Sequence, residues 1–391
     1  MQRVLLSTAM KNKVNRAFTA KKNKIIILSL LLTCMSCKAQ NVPESQPQPT
    51  VSYTLCNSNA TVETQRLWSV LCSEYGQRAM SGVVANVDWN TRETENVYLW
   101  TGKYPALNVF DFINIHASKD VNNQGWLDYS DLTPVTDWYN AGGVVGCMWH
   151  WQVLANNGTN YTCSPGTEPG QTSFDPSKIN DPSSAEYKRM VKDIDQVAGY
   201  LKKMQKRGIP VIWRPLHEAS GNTTEFVGGG AWFWWGAKGA EAYKALWRFM
   251  YDRMVNYHRL NNLIWVWNSQ IGDWDWYPGD DVVDVVGRDS YYALQYPLAK
   301  EYGELQSHYP NKLICLAECG NGDEVDMALW TKIWDEGGHW SWFMTWYDYN
   351  YNNGTSEEHQ FAGEAWWRDA FNSGKVIDRE EMKRLLVESQ M

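Results

Sequence analysis

Several things are scarce in this 391-residue chain, and each scarcity narrows what the chain can do. Positive charge is the first: 36 Lys and Arg stand against 44 Asp and Glu, for a formal net charge of −8. The basic residues are also scattered, so the patch that phosphate binding needs is missing and a nucleic-acid partner is excluded. Metal-ligand patterns are the second. Beyond residue 40 the cysteines are Cys56, Cys72, Cys147, Cys163, Cys315 and Cys319, and none has zinc-type spacing. No metal and no cofactor are therefore expected in the chemistry. Cys147 and Cys315 fall in apolar runs where a buried thiol is the default. A Cys56 to Cys72 bridge is conceivable in an exported protein, but connectivity is not readable from sequence. Repeats and internal linkers are absent too. From Thr61 onward strand-like and helix-like segments alternate without interruption, which implies one α/β unit over residues 56–391, acting as a monomer.

The first 40 residues read as a targeting segment. Lys21, Lys22 and Lys24 precede an apolar run at 25–32 that is too short to span a bilayer as a mature helix. Met10 could equally be the start. Residues 33–40 resemble a bacterial lipoprotein signal with Cys37, or alternatively Cys34, as the lipidated residue; ordinary cleavage after Ala39 is the other option. Residues 41–55, rich in Pro and Gln up to Thr50, would then be a tether. The expectation is an exported lipoprotein facing the periplasm or the cell surface, touching the membrane only through its anchor.

What the chain has in excess is rings, with 23 Trp and 21 Tyr. Most must pack helices on strands, but flat rings with a polar edge also stack amphipathic ligands such as sugars.

The organising stretch is 209–218, an apolar strand that ends in Arg214, His217 and Glu218, with Pro215 forbidding a continued ladder. A second apolar strand, 313–318, ends in Glu318 shortly before Gly320. An isolated strand-end Glu is ordinarily salt-bridged or capping. Here the pair is 318 − 218 = 100 residues apart, room for three strand-helix units, so both carboxylates can face one barrel mouth. Such a pair is the equipment for breaking a glycosidic bond.

Six further strand candidates complete the set: 82–88, 109–114, 143–151, 263–268, the segment after the 277–280 turn that ends in Asp289 and Tyr291, and 340–346. The third ends in Trp149, His150 and Trp151, the eighth in Trp346. A patternless loop at 152–182 sits on the catalytic side. Ser183 to Glu186 looks like a capping box opening a helix with Val191, Ile194, Val197, Leu201 and Met204 on its apolar face. Four consecutive aromatics at 232–235 are hard to bury completely, so some, Trp235 included, are expected at the surface. A helix is expected from about 239 to 257 and another around 364–371. Eight strands with intervening helices predict a (β/α)8 TIM barrel with enlarged loops on the catalytic face.

Together these segments resemble the family 26 glycoside hydrolases, a branch of the retaining (β/α)8 glycosidases whose best-known members are endo-β-1,4-mannanases. Residues 213–218 are similar to the family's acid/base motif, with His217 where the wider group has Asn. The 277–280 turn leading to 287–291 resembles its strand-six signature, whose Tyr contacts the nucleophile, and Ala317-Glu318 resembles its nucleophile position. Trp149 and His150 match a substrate-binding pair, 232–236 an aromatic loop, and Trp346 the ring under the reacting sugar. The likeness covers about 81–376. It implies Glu218 as acid/base and Glu318 as nucleophile on a β-mannan substrate, with Trp149, His150, Arg214, His217, Trp235, Asp289, Tyr291 and Trp346 contacting substrate. Cys319, Ala219 and Ser220 depart from common family residues and leave substrate choice open. Mixed-linkage β-glucan and xylan stay as alternatives; a non-catalytic glycan-binding lipoprotein would explain the rings but not the second carboxylate.

Overall fold

The computed structural model describes residues 53–87, 89–291, 298–322, 326–347 and 361–389. The expected signal segment, and all but the last three residues of the tether at 41–55, lie outside these residues.

Eight parallel strands close into a barrel: β1 (Gly82–Val84), β2 (Leu107–Asp111), β3 (Val144–Trp149), β4 (Val211–Pro215), β5 (Leu263–Ser269), β6 (Val285–Ser290), β7 (Leu313–Cys319) and β8 (Phe343–Thr345). Each pairs with its sequence neighbour, and β8 returns to β1 through Thr345 and Val83. This is the predicted TIM barrel. Helix α1 (Val62–Glu74) precedes it. Then α2 (Arg92–Thr101), α3 (Thr133–Asn140), α4 (Ala185–Gln205) and α5 (Gly239–Tyr251) follow the first four strands. Helices α6 (Leu298–His308), α7 (Trp330–Asp335) and α8 (Glu364–Asn372) follow the last three, and α9 (Arg379–Glu388) ends the chain. Among the described residues no helix is long and apolar enough to cross a membrane.

Strand alternation divides the core into two layers. Val109, Met148, Ile212, Ile264, Val266, Val285, Cys315 and Ala317 fill the barrel, whereas Phe110, Trp149, Trp213, Trp265, Trp267, Ile314 and Leu316 pack outward onto the helices. Most of the tryptophans belong to that outer layer, where one ring fills the wide gap between a strand and a helix. A fully buried side chain of this size contributes roughly 1.5–3 kcal/mol.

Four expectations need correction. The 183–186 capping box is not formed: Asp181 takes the amide and the hydroxyl of Ser183, and Ser184 caps α4 by accepting from the Tyr187 amide at 3.1 Å. The 152–182 segment is not patternless, since Val153–Leu154 and Tyr161–Thr162 form an antiparallel pair and Pro176–Asn180 a 3-10 turn. The helix predicted to 257 is α only to Tyr251, then widens to a π-helix at Asp252–Tyr257. The six described cysteines are all free, including Cys56 and Cys72. Cys56 is instead tied through its backbone, its amide donating to Asp284 at 2.6 Å.

Candidate active site

The site assembles at the carboxyl ends of β2 to β8. On β4 the inward positions are Ile212 and then Arg214; on β6 they are Val285, Gly287 and Asp289. Position 287 has room only for glycine, because a Cβ there would stand 2.7 Å from that of Ala317. Strict alternation along β7 would send Glu318 outward with Ile314 and Leu316. A register shift prevents this: Leu316 pairs with Arg288, yet Glu318 pairs with Asp289, so one extra residue is accommodated on β7. Such a bulge re-aims the side chain that follows. Glu318 turns into the barrel mouth beside Asp289.

Glu218 arrives by a different device. Beyond Pro215 the chain leaves the sheet in a turn where Leu216 and Glu218, both non-glycine, have φ of 51° and 50°. Backbone of this kind costs of order 1–3 kcal/mol per residue and persists where its surroundings over-determine it. The carbonyls of the turn are all held: Tyr243 donates to that of Leu216 at 3.2 Å, the Trp235 indole to that of His217 at 2.8 Å, and the Gly221 amide to that of Glu218 at 3.0 Å.

One carboxylate oxygen from each of Glu218, Asp289 and Glu318 lies within 4.8 Å of one from each of the others, and all three side chains are buried. Arg214 bonds to Glu318, to Asp289 at 3.1 Å and to the side-chain oxygen (Oδ1) of Asn268 at 2.7 Å. Tyr291 donates to the other oxygen of Glu318 at 2.6 Å. Arg214 makes no such bond to Glu218. That asymmetry decides where a proton goes. Burial, then the neighbouring Asp289 and Glu318 charges, push the Glu218 carboxyl well above the usual range, with Arg214 opposing weakly. Asp289 is pushed up to about 7, by burial first and by Glu318 second, while Arg214 and Asn268 pull it back. Two carboxylates sharing one guanidinium cannot tolerate a third charge beside them, so Glu218 carries the proton.

A second chain of contacts stands on the β2 to β4 side. Asp111 accepts from the His150 amide at 3.1 Å and contacts its Nδ1 at 2.6 Å, and His150 Nε2 faces His217 Nε2 at 3.0 Å. With Nδ1–H of His150 given to Asp111, His217 is the donor in the imidazole pair. Burial, then His150 and Arg214, lower the His217 pKa, so its ring stays neutral. Trp346 lies edge-on to His150 with centroids 5.8 Å apart.

Of the ten residues singled out from sequence, eight converge here. Trp149 and Trp235 do not present a ring to a ligand, since both are fully buried. Trp149 points outward from β3 and stacks on Trp151 at 4.1 Å; Trp235 lies under the His217 turn. Within the 232–235 run only Trp232 is exposed, at 37%. Asp111 and Asn268 were not singled out, and each orients a residue that was. Their one sequence signal is a polar side chain at the carboxyl end of an apolar strand. The three clustered carboxylates are also the group of metal-type donors close enough to share an ion among the described residues, and the cation they meet in the protein is Arg214.

The model for glycosyl hydrolase family 26 matches residues 56–376. The chain belongs to that family. Among curated relatives it is 33% identical over 313 residues to a mannan endo-1,4-beta-mannosidase of Thermothelomyces thermophilus, covering 79% of this chain and 60% of that protein. It is 30% identical to mannan endo-1,4-beta-mannosidase A of Piromyces sp. over 345 residues, 86% of this chain and 52% of the relative. The chain thus spans little more than half the length of these relatives. Among solved structures, the GH26 domain of an endo-beta-mannanase/endo-beta-glucanase from Prevotella bryantii superimposes with a TM-score of 0.75 at 37% identity, over 84% of this chain and 98% of that one. A Podospora anserina GH26-CBM35 beta-(1,4)-mannanase gives 0.70 at 33% identity, over 88% and 72%.

Proposed function

We propose that this family 26 protein is a retaining endo-β-1,4-mannanase. The observation that carries the reading is the approach of Glu218 and Glu318 to within 4.8 Å, oxygen to oxygen. Carboxyl groups about 5–5.5 Å apart suit double displacement, whereas inversion needs roughly 6.5–9.5 Å for an intervening water. The mannanases among the relatives above support β-mannan as the substrate.

Glu218, protonated, donates its proton to the departing glycosidic oxygen while a carboxylate oxygen of Glu318 bonds to the anomeric carbon. The leaving chain departs with that proton. Glu218, now ionised, takes a proton from water, whose oxygen displaces Glu318 and releases a sugar of unchanged anomeric configuration. Arg214 and Tyr291 hold Glu318 aimed by a hydrogen bond to each of its oxygens, Asp289 fixes Arg214, and the His150–His217 pair and the Trp346 face receive the sugar. The test is product analysis on mannan, galactomannan, lichenan and xylan. Manno-oligosaccharides of several lengths from the first two are expected, with little release from the others. Cleavage of lichenan or xylan at the mannan rate would overturn the substrate assignment.

The exported, lipid-anchored state is part of the same proposal, supported by the basic and apolar pattern ahead of Cys37. Palmitate labelling of the protein in bacterial cells is expected and should vanish in Cys37→Ser. Undiminished labelling in that variant would rule out Cys37 as the anchor.

A further inference from the structure

Asp273 lies four residues past β5 and takes no part in the chemistry set out above. Its carboxylate is nonetheless fully engaged. Oδ1 accepts from the Ser269 hydroxyl at 2.8 Å, and Oδ2 from the Gln270 amide at 2.7 Å and from the Ser220 hydroxyl at 3.2 Å. Ser220 is two residues beyond Glu218 on the turn whose backbone is left-handed at Leu216 and Glu218. The carbonyls of that turn are held by Tyr243 of α5, by Trp235 and by the turn's own Gly221 amide. The Ser220 bond ties the turn itself to the segment that follows β5; further along the same loop the Thr224 hydroxyl donates to the Ile271 carbonyl at 2.6 Å.

The residue type is informative. Asp273 is only 1% exposed, and burial pushes its carboxyl up to about 6. A buried carboxylate is an unfavourable choice where packing is the sole need. The groups facing it include Arg288, which lowers its pKa from the outward face of β6 and pairs with Glu301 of α6 at 3.5 Å, together with Tyr243 and Tyr309.

Resting on the acid/base role of Glu218, we propose that Asp273 is a positioning residue for that acid: by clamping Ser220 to the end of β5 it sets where the Glu218 carboxyl stands relative to the glycosidic oxygen. An error of about 1 Å in such a placement costs up to about 100-fold in rate. The loss falls on steps that need the acid. The turn that carries the acid is thereby fixed to two strands rather than one.

The experiment compares mannopentaose with 2,4-dinitrophenyl β-mannobioside, whose phenolate leaves without a proton, using kcat/KM, which stops at formation of the glycosyl-enzyme. For Asp273→Ala about a 30-fold loss is expected on mannopentaose, mostly in kcat, against less than about threefold on the aryl glycoside. Ser220→Ala, which disturbs the fold less, should shift the two substrates apart in the same sense by a smaller factor. Asp273→Asn should recover to within about threefold of the wild type. Its amide oxygen can serve Gln270 and Ser220 while its NH2 meets the Ser269 hydroxyl turned to accept. Equal losses on both substrates in Asp273→Ala and Ser220→Ala, or no loss in either, would overturn the positioning role. A wild-type protein inert on mannopentaose would instead overturn the proposed function, and this role with it.

Discussion

Replacing Glu318 with alanine is expected to lower kcat on β-mannan by at least about 10⁴-fold, because the group that forms the covalent bond has no substitute in the site. Asp289 is a neighbouring carboxylate, but it is bound to Arg214 and pairs with Glu318 in register on the adjacent strand. It cannot take over without releasing the guanidinium. The fold should survive, since Arg214 keeps Asp289 and Asn268 as partners. A buried charge left wholly unpaired would cost about 3–5 kcal/mol, and here the loss is smaller because one carboxylate remains. Steady-state rates and a melting curve check both statements. Wild-type turnover in the variant would remove Glu318 from the role.

Glu218→Ala should lower kcat/KM on mannan about 10³-fold, the scale of general acid catalysis. Azide should then restore turnover of the dinitrophenyl substrate as the β-mannosyl azide, because azide attacks the glycosyl-enzyme without a base. The pH dependence has a definite sign. The acid works protonated, so wild-type kcat/KM should fall as pH rises through the raised Glu218 pKa. Stability follows the same group. A folded-state pKa above the unfolded value means that the native protein binds more protons at this group, so its contribution to stability is fully present below the ordinary Glu pKa and is lost as pH rises through the folded one. Glu218→Gln removes that penalty and should raise Tm by a few degrees at neutral pH, an activity loss with a stability gain. A Tm unchanged between pH 5 and 8 in both proteins would contradict the burial argument.

The eight strands were legible because each is an apolar run that stops at polar or ring-bearing residues, and the two acids were legible because each ends such a run. Which way a side chain faces was less so. The outward place of Trp149 follows from simple alternation with Met148. The inward place of Glu318 does not, because it depends on a bulge that leaves no mark in the sequence. The aromatic run 232–235 shows the limit of composition: the layer behind the β4 turn absorbs Phe233, Trp234 and Trp235 and leaves Trp232 partly in solvent. Asp111 and Asn268 carry no comparable signature. A lone polar residue at a strand end has many uses, and only its partners reveal which.

The claim on which everything else depends is that Glu218 and Glu318 act as a close pair across one sugar. Proton NMR of the first product released from mannopentaose in D2O tests it most directly. The β-anomer is expected first, with the α-anomer appearing only by mutarotation; the α-anomer first would mean inversion and would contradict the pairing.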